Sequence, residues 1–223
     1  TGSYDVTETA LAGWSLTDAS CTGTTATKTG SKLSFTAGSN ANIVCTFTNT
    51  RDSGTLKVVK NATGADGTFN FTSDTALGNF DLTTVGGTAS TPISIVPTGT
   101  YTLSEVVPAN WSLNNLVCTG TNGATVANPK VTLTVSKGDN IVCTFTNIRH
   151  TATVKVVKNV TAAGGVSNGT FGFTSNIPGN TSFNLATSGG TASTSNITVL
   201  AGIPFEISET VPAGWSLTDI TCT

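Results

Sequence analysis

The sequence predicts an all-β protein made of tandem β-sandwiches of immunoglobulin-like type, with about seven strands each. Three observations support this. Thr, Ser, Gly, Asn and Val dominate the 223 residues, only 10% of which are charged, and this composition favours strands and turns over helices. Short runs of alternating apolar and polar residues are separated by turn residues. The same runs recur along the chain, which indicates repeated domains.

Four sequence markers define the repeat. A segment with a Trp and a Cys begins at Tyr4, Tyr101 and Phe205, and IVCTFTN occupies residues 43–49 and 141–147. KVVKN ends at residues 61 and 159, and GTFxFTS follows it in both places. The order of these markers divides the chain into residues 1–49, the C-terminal half of one repeat; 50–147, a complete repeat; and 148–223, the N-terminal part of a third. We expect a stretch of a longer continuous array, rather than two halves that complete each other.

The complete repeat contains seven predicted strands, at residues 56–60, 68–72, 79–82, 93–96, 101–106, 131–135 and 141–147. We expect antiparallel pairing, because the sequence offers no helical crossover between parallel strands.

Alternation within three of these strands places a polar residue at the end of each inward-facing apolar row. Lys60 follows Leu56 and Val58, whereas Lys57, the other lysine of this strand, faces the opposite way. The other two rows end in polar residues in the same manner: Tyr101, Leu103 and Glu105, and Ile141, Cys143, Phe145 and Asn147. The flanking repeats place Glu8, Asn49, Lys158 and Glu209 at equivalent positions.

An inward lysine, glutamate and asparagine must satisfy one another, because an unpaired buried charge is costly. One interpretation is a buried Lys–Glu ion pair bridged by the Asn amide. The other is a covalent Lys–Asn isopeptide bond. Burial lowers a lysine pKa and raises a glutamate pKa, so a neutral amine could attack the amide carbonyl while the acid moves protons. The residue pattern leaves both interpretations open.

The motif Y-x-x-x-E-x-x-P-x-x-W, preceded by a lysine strand and followed by TFTN, resembles the Cna B-type, or SpaA-like, prealbumin-like domains of bacterial surface proteins and pili. In the complete repeat it comprises Tyr101, Leu103, Glu105, Pro108 and Trp111, with Trp in place of the family's usual Tyr. The resemblance implies a prealbumin-like sandwich in which Glu105 is the proton shuttle for a Lys60–Asn147 isopeptide bond. In the flanking repeats it implies that Glu8 and Glu209 are shuttles, and that Asn49 and Lys158 are crosslinked to partners outside positions 1–223.

Five cysteines follow the repeat, which predicts the disulfides Cys21–Cys45 and Cys118–Cys143. Cys222 is then the first member of a pair whose mate lies outside the sequence. Disulfides indicate an oxidising, extracellular compartment; reduced core cysteines are the alternative. No C-x-x-C spacing occurs and His150 is the only histidine, so we expect no metal and no cofactor.

These features favour a structural segment of a cell-surface stalk, fibre or filament over an enzyme. The alternative is an adhesin module that binds a host, matrix or glycan ligand. The net charge of −2 argues against nucleic acid, and no apolar run is long enough to cross a membrane. We expect neighbouring repeats as partners. Glycans are further candidates, because N-x-S/T sequons occur at Asn61, Asn70, Asn110, Asn159, Asn168, Asn180 and Asn196.

Overall fold

The computed structural model describes residues 1–121, 123–162, 165 and 168–223, in two compact units, Thr1–Ile148 and Arg149–Thr223. None of the described residues lies in a helix, which confirms the all-β prediction. The first unit contains β1 (Gly2–Thr7), β2 (Trp14–Thr22), β3 (Ala26–Thr29), β4 (Lys32–Ala37), β5 (Val44–Arg51), β6 (Ser53–Thr63), β7 (Thr68–Ser73), β8 (Phe80–Thr83), β9 (Thr88–Ser90), β10 (Ser94–Pro97), β11 (Gly99–Val106), β12 (Trp111–Thr119), β13 (Gly123–Ala127), β14 (Lys130–Val135) and β15 (Asn140–Arg149).

The second unit is described by itself. Its strands are β16 (Thr151–Val154), β17 (Val157–Asn159), β18 (Thr170–Ser175), β19 (Ser182–Ala186), β20 (Thr191–Ser193), β21 (Ile197–Leu200) and β22 (Ile207–Thr210). In the described residues of this unit they form three small sheets, with the orders β16-β21, β17-β20 and β19-β18-β22.

Strands β6–β15 form a sandwich of two five-stranded sheets in the described part of the chain. One sheet has the order β10-β6-β15-β12, with β9 also paired to β6, and the other has the order β13-β14-β11-β7-β8. The sequence predicted seven of these strands and missed β9, β12 and β13, which are short or carry polar residues along both faces. The core between the sheets contains Leu56, Val58, Phe69, Phe71, Val96, Leu103, Val131, Leu133, Ile141 and Phe145.

The expectation of purely antiparallel pairing was wrong, because β15 runs parallel to β6. The paired residues extend from Asn140 opposite Thr55 to Ile148 opposite Thr63. A parallel pair needs a long crossover, for which a helix is only the usual solution. Here the crossover is the rest of the sandwich, so the first and last strands of residues 50–147 become neighbours.

The turn before each tryptophan has the same geometry in all three places. Trp111 donates its backbone N–H to Pro108 O at 3.2 Å. Asn110, immediately before Trp111, has a φ of 63°, and its counterparts Gly13 and Gly214 have φ values of 80° and 82°. Because this left-handed conformation favours glycine or asparagine, the turn explains the residue types at this position of the motif.

Candidate crosslinking site

Lys60 lies on β6 with its side chain inside the sandwich, where it is fully buried. Its ammonium group donates hydrogen bonds to Asn61 O at 2.6 Å and to Phe145 O at 3.2 Å. The same Nζ lies 4.1 Å from the ring centroid of Phe69. Two carbonyl oxygens and an aromatic face therefore replace the water that the ammonium group loses on burial.

Glu105 and Asn147 join the two sheets beside this lysine. Asn147, on β15, is fully buried and donates a hydrogen bond through Nδ2 to Oε1 of Glu105, on β11. Glu105 Oε2 and Asn147 Oδ1 are also buried, and neither has a hydrogen-bond partner among the described residues. The site thus holds an amide carbonyl without a donor beside a carboxyl oxygen that can carry a proton.

The parallel register explains why the lysine and the asparagine belong to one site. Phe145 lies opposite Lys60, and Asn147 lies opposite Ala62, so Asn147 is the diagonal neighbour of Lys60 on the same face. Both side chains point inward because burial alternates along β6 and β15. Lys57 lies opposite Val142, outside this alternating buried row.

Burial shifts the ionisation of both titratable groups toward their neutral forms. Loss of solvent lowers the pKa of Lys60 to about 8, against a smaller opposing effect of the Glu105 charge. Loss of solvent also raises the pKa of Glu105, although Lys60 and the Asn147 hydrogen bond act in the opposite direction. An amine and a carboxylic acid, both neutral, are the forms that amide exchange between Lys60 and Asn147 requires.

The flanking segments contain parts of the same arrangement. In residues 1–49, Asn49 donates through Nδ2 to Oε1 of Glu8, and Asn49 is exposed to solvent. In residues 148–223, Lys158 Nζ lies 2.9 Å from Oε1 and 3.0 Å from Oε2 of Glu209. This last pair is an ion pair of the kind that one of the two sequence interpretations described.

An aromatic pair supports each lysine, and sequence reasoning missed it. Phe69 contacts Trp111 edge to face with ring centroids 5.0 Å apart, and Phe171 contacts Trp215 in the same way at 5.0 Å. Lys158 Nζ lies 4.5 Å from the ring centroid of Phe171. It occupies the same place over this ring that Lys60 Nζ occupies over Phe69. The recurrence of GTFxFTS beside KVVKN and of the Trp motif was the available signal.

Two disulfides link neighbouring strands of the same sheet. Cys21 and Cys45 join β2 to β5 with Cα atoms 4.0 Å apart, and Cys118 and Cys143 join β12 to β15 at the same Cα separation. Cys222 is exposed and has no disulfide partner among the described residues, and a partner outside the sequence stays a prediction. Cys143 shares the buried face of β15 with Asn147, so the disulfide and the candidate crosslink act on one strand.

Among the described residues, no group of three or more His, Cys, Asp and Glu side chains could hold a metal ion. No helix in the part of the chain that the structure describes is long and apolar enough to cross a membrane.

Comparisons with known proteins place the fold. A family model described as a prealbumin-like fold domain, of SpaA type, matches residues 1–51, 56–149 and 154–223. Among solved structures, the chain is similar to the major pilin protein (T-13) from Streptococcus pyogenes serotype GAS131465, at 15% sequence identity and a TM-score of 0.33. That alignment covers 74% of this chain and 84% of the pilin. No curated protein matches the chain. Because the family matches extend over most of its length, the chain belongs to the prealbumin-like fold domain family of SpaA type.

Proposed function

We propose that the chain is a structural segment of an extracellular stalk, fibre or filament, built from repeats at residues 1–49, 50–147 and 148–223. In this proposal an isopeptide bond between Lys60 and Asn147 closes the middle repeat. The observation that carries it is the burial of Lys60, Glu105 and Asn147 together in one core. A lysine, an acid and an amide enclosed in a small sandwich cost stability, and a covalent bond between two of them removes that cost.

The reaction needs only the residues that are present. The neutral Lys60 Nζ attacks Cγ of Asn147, and a new C–N bond forms as the old bond from Cγ to Nδ2 breaks. The amine loses a proton, the departing nitrogen gains one, and one ammonia leaves. No oxidant, reductant or further reactant is required.

Glu105 is suited to move the protons. Its Oε1 already contacts Nδ2 of Asn147, the nitrogen that departs. Its raised pKa favours the protonated acid, which can polarise the amide carbonyl and then protonate the leaving nitrogen. Glu8 beside Asn49 and Glu209 beside Lys158 are the corresponding groups of the flanking repeats.

The proposed bond would complete a covalent connection across three neighbouring strands. The disulfide between Cys118 and Cys143 joins β12 to β15. The isopeptide bond would join β15 to β6, the strand on its other side. Because β6 begins the repeat and β15 ends it, a pulling force would pass from Lys60 directly to Asn147 and bypass the residues between them. This suits a load-bearing segment.

Disulfides support an extracellular location, because they persist mainly in oxidising compartments. Membership of the SpaA-type prealbumin-like family supports the same role.

Intact mass spectrometry of the reduced 223-residue chain and four variants tests the proposal. We expect the unsubstituted chain and Lys57→Met to weigh one ammonia less than their sequences. We expect Lys60→Met and Glu105→Gln to have their full sequence masses, because the first lacks the nucleophile and the second lacks the shuttle.

Asn147→Ala is the acceptor control and should also have its full mass. A succinimide at some other asparagine would lose ammonia as well, but that loss would persist in Lys60→Met. The proposal fails if the unsubstituted chain has its full mass, or if Lys60→Met retains the deficit.

A further inference from the structure

The joint between the first segment and the middle sandwich is a single residue long. Strand β5 ends at Arg51 and β6 begins at Ser53, so Asp52 alone separates them. The backbone of Asp52 is held from both sides. Its N–H donates to Gly13 O at 2.8 Å, and its carbonyl accepts from the Thr98 N–H at 2.9 Å. Gly13 belongs to the first segment and Thr98 to the sandwich. The backbone of Asp52 is therefore hydrogen-bonded to both sides of the joint.

The side chain of Asp52 makes a second pair of contacts with the same division. Ser15, on β2, donates to Asp52 Oδ1 at 2.6 Å. Lys137, in the loop between β14 and β15, lies 3.1 Å from the same oxygen and donates to Ser15 Oγ at 2.5 Å. The Asp52 side chain is 15% exposed, whereas the Lys137 side chain is 65% exposed. The carboxylate is therefore enclosed by one residue from each side of the joint.

Close packing leaves little room at this point. A Cβ atom at Gly13 would approach Thr98 Oγ1 to 3.0 Å, and Gly13 has a φ of 80° that disfavours other residues. The loop that carries Lys137 is itself anchored to β6, because Gly138 N–H donates to Ser53 O at 2.9 Å and Thr55 N–H donates to Asp139 O at 2.7 Å.

Two of the three side chains of this contact, those of Asp52 and Lys137, do not recur with the repeat, whereas Ser15 does, as Ser112 and Ser216. In the aligned segments TNTRDSGTLK and TNIRHTATVK, His150 occupies the position of Asp52. In the aligned segments TAGSNANIVC and TVSKGDNIVC, Ser39 occupies the position of Lys137. An aspartate and a lysine that meet at one joint, and are replaced elsewhere, indicate a contact specific to that joint.

We infer that an interface specific to this joint is formed by Asp52, Ser15 and Lys137. It fixes the orientation of residues 1–49 relative to the sandwich of residues 50–147. The partner that this surface of the sandwich fits is the preceding segment of the same chain, which presents the Ser15 hydroxyl beside the Asp52 carboxylate of the joint. The interface uses none of the residues of the crosslinking site, so its failure and the failure of the proposed function are distinguishable.

Backbone amide exchange in the ¹⁵N-labelled 223-residue chain tests the interface. The Thr98 amide is the reporter, because Thr98 is unchanged in every variant. The Ala62 amide, bonded to Gly87 O at 2.8 Å within the sandwich, is the internal reference for general loss of stability. We expect Asp52→Asn and Lys137→Gln each to accelerate Thr98 exchange relative to Ala62 by about two- to fivefold, the range of a partly exposed ion pair.

In the double variant the Thr98 amide should exchange no faster than in the faster of the two single variants, because both substitutions remove the same contact. Salt at about 1 M should reproduce the Lys137→Gln effect in the unsubstituted chain. Lys130→Gln, the same change at an exposed lysine of β14, is the matched control and should leave Thr98 exchange unchanged.

Residual dipolar couplings provide the orientation readout. One alignment tensor should fit residues 1–49 and 50–147 together in the unsubstituted chain, because the interface fixes one segment against the other. The inference is overturned if that chain needs two tensors, if Thr98 exchange is unaffected by Asp52→Asn, or if the two single effects multiply in the double variant.

Discussion

At the scale of single residues, the Lys60 ammonium group makes contacts with two other strands. Lys60 is fully buried, donates a hydrogen bond to Phe145 O on β15, and lies over the ring of Phe69 on β7. These contacts hold the amine away from solvent. Alternation along β6 predicted the inward direction of Lys60 but not these contacts, because a periodic pattern within one strand does not show which strands become neighbours.

The lowered pKa of Lys60 predicts how stability depends on pH when the crosslink cannot form. In Asn147→Ala the amine stays free, with a pKa of about 8 in the folded chain and its ordinary value of 10.5 in the unfolded chain. Between these values the unfolded chain binds more protons, so the free energy of unfolding should rise with pH. The rise should be up to about 3 kcal/mol.

Urea denaturation of Asn147→Ala at intervals from pH 7.5 to 10.5 measures this rise. The control is the double variant Lys60→Met, Asn147→Ala, whose stability should be flat by comparison across the same range. Equal pH dependence in the two proteins would show that Lys60 does not titrate with a lowered pKa.

At the scale of strands, the important element is the parallel pair of β6 and β15. The sequence predicted both strands, because each alternates clearly between apolar and polar residues. It did not predict their pairing, because the long connection between them contains no helix to signal a crossover. The Asp52–Lys137 contact was missed for a similar reason: polar residues in a joint and a loop follow no period.

Pulling on the two ends of the chain should distinguish the crosslinked strands from uncrosslinked ones. Force enters the sandwich at the start of β6 and leaves at the end of β15, which loads the pair in shear. With Lys60 bonded to Asn147, the residues between them cannot extend. In Lys60→Met with the disulfide reduced, unfolding should release about 300 Å of additional chain, at about 3.5 Å per residue.

Force spectroscopy with and without reductant measures this length. An intact Cys118–Cys143 disulfide, with a sequence separation of 25, should shorten the release in Lys60→Met by about 90 Å. The unsubstituted chain should show neither the long release nor any response of this sandwich to reductant. A release of the same length from both proteins would contradict a bond between β6 and β15.

At the scale of the whole molecule, the sequence markers predict three related segments, and this division stays a prediction. The family model matches residues 1–51, 56–149 and 154–223. The segments hold different parts of one site. Glu209 pairs with the amine of Lys158, whereas Glu105 bonds to the amide of Asn147. One glutamate position therefore contacts an amine in one segment and an amide in another, as a proton shuttle between the two would require.

Peptide mapping of the reduced, protease-digested chain by tandem mass spectrometry tests directly whether a bond joins Lys60 to Asn147. We predict a branched peptide that joins the β6 sequence around Lys60 to the β15 sequence around Asn147, lighter by one ammonia than the sum of its two parts. Fragmentation should place the junction at those two side chains. Recovery of the two peptides as separate linear species, each with its full mass, would show that Lys60 and Asn147 are not bonded.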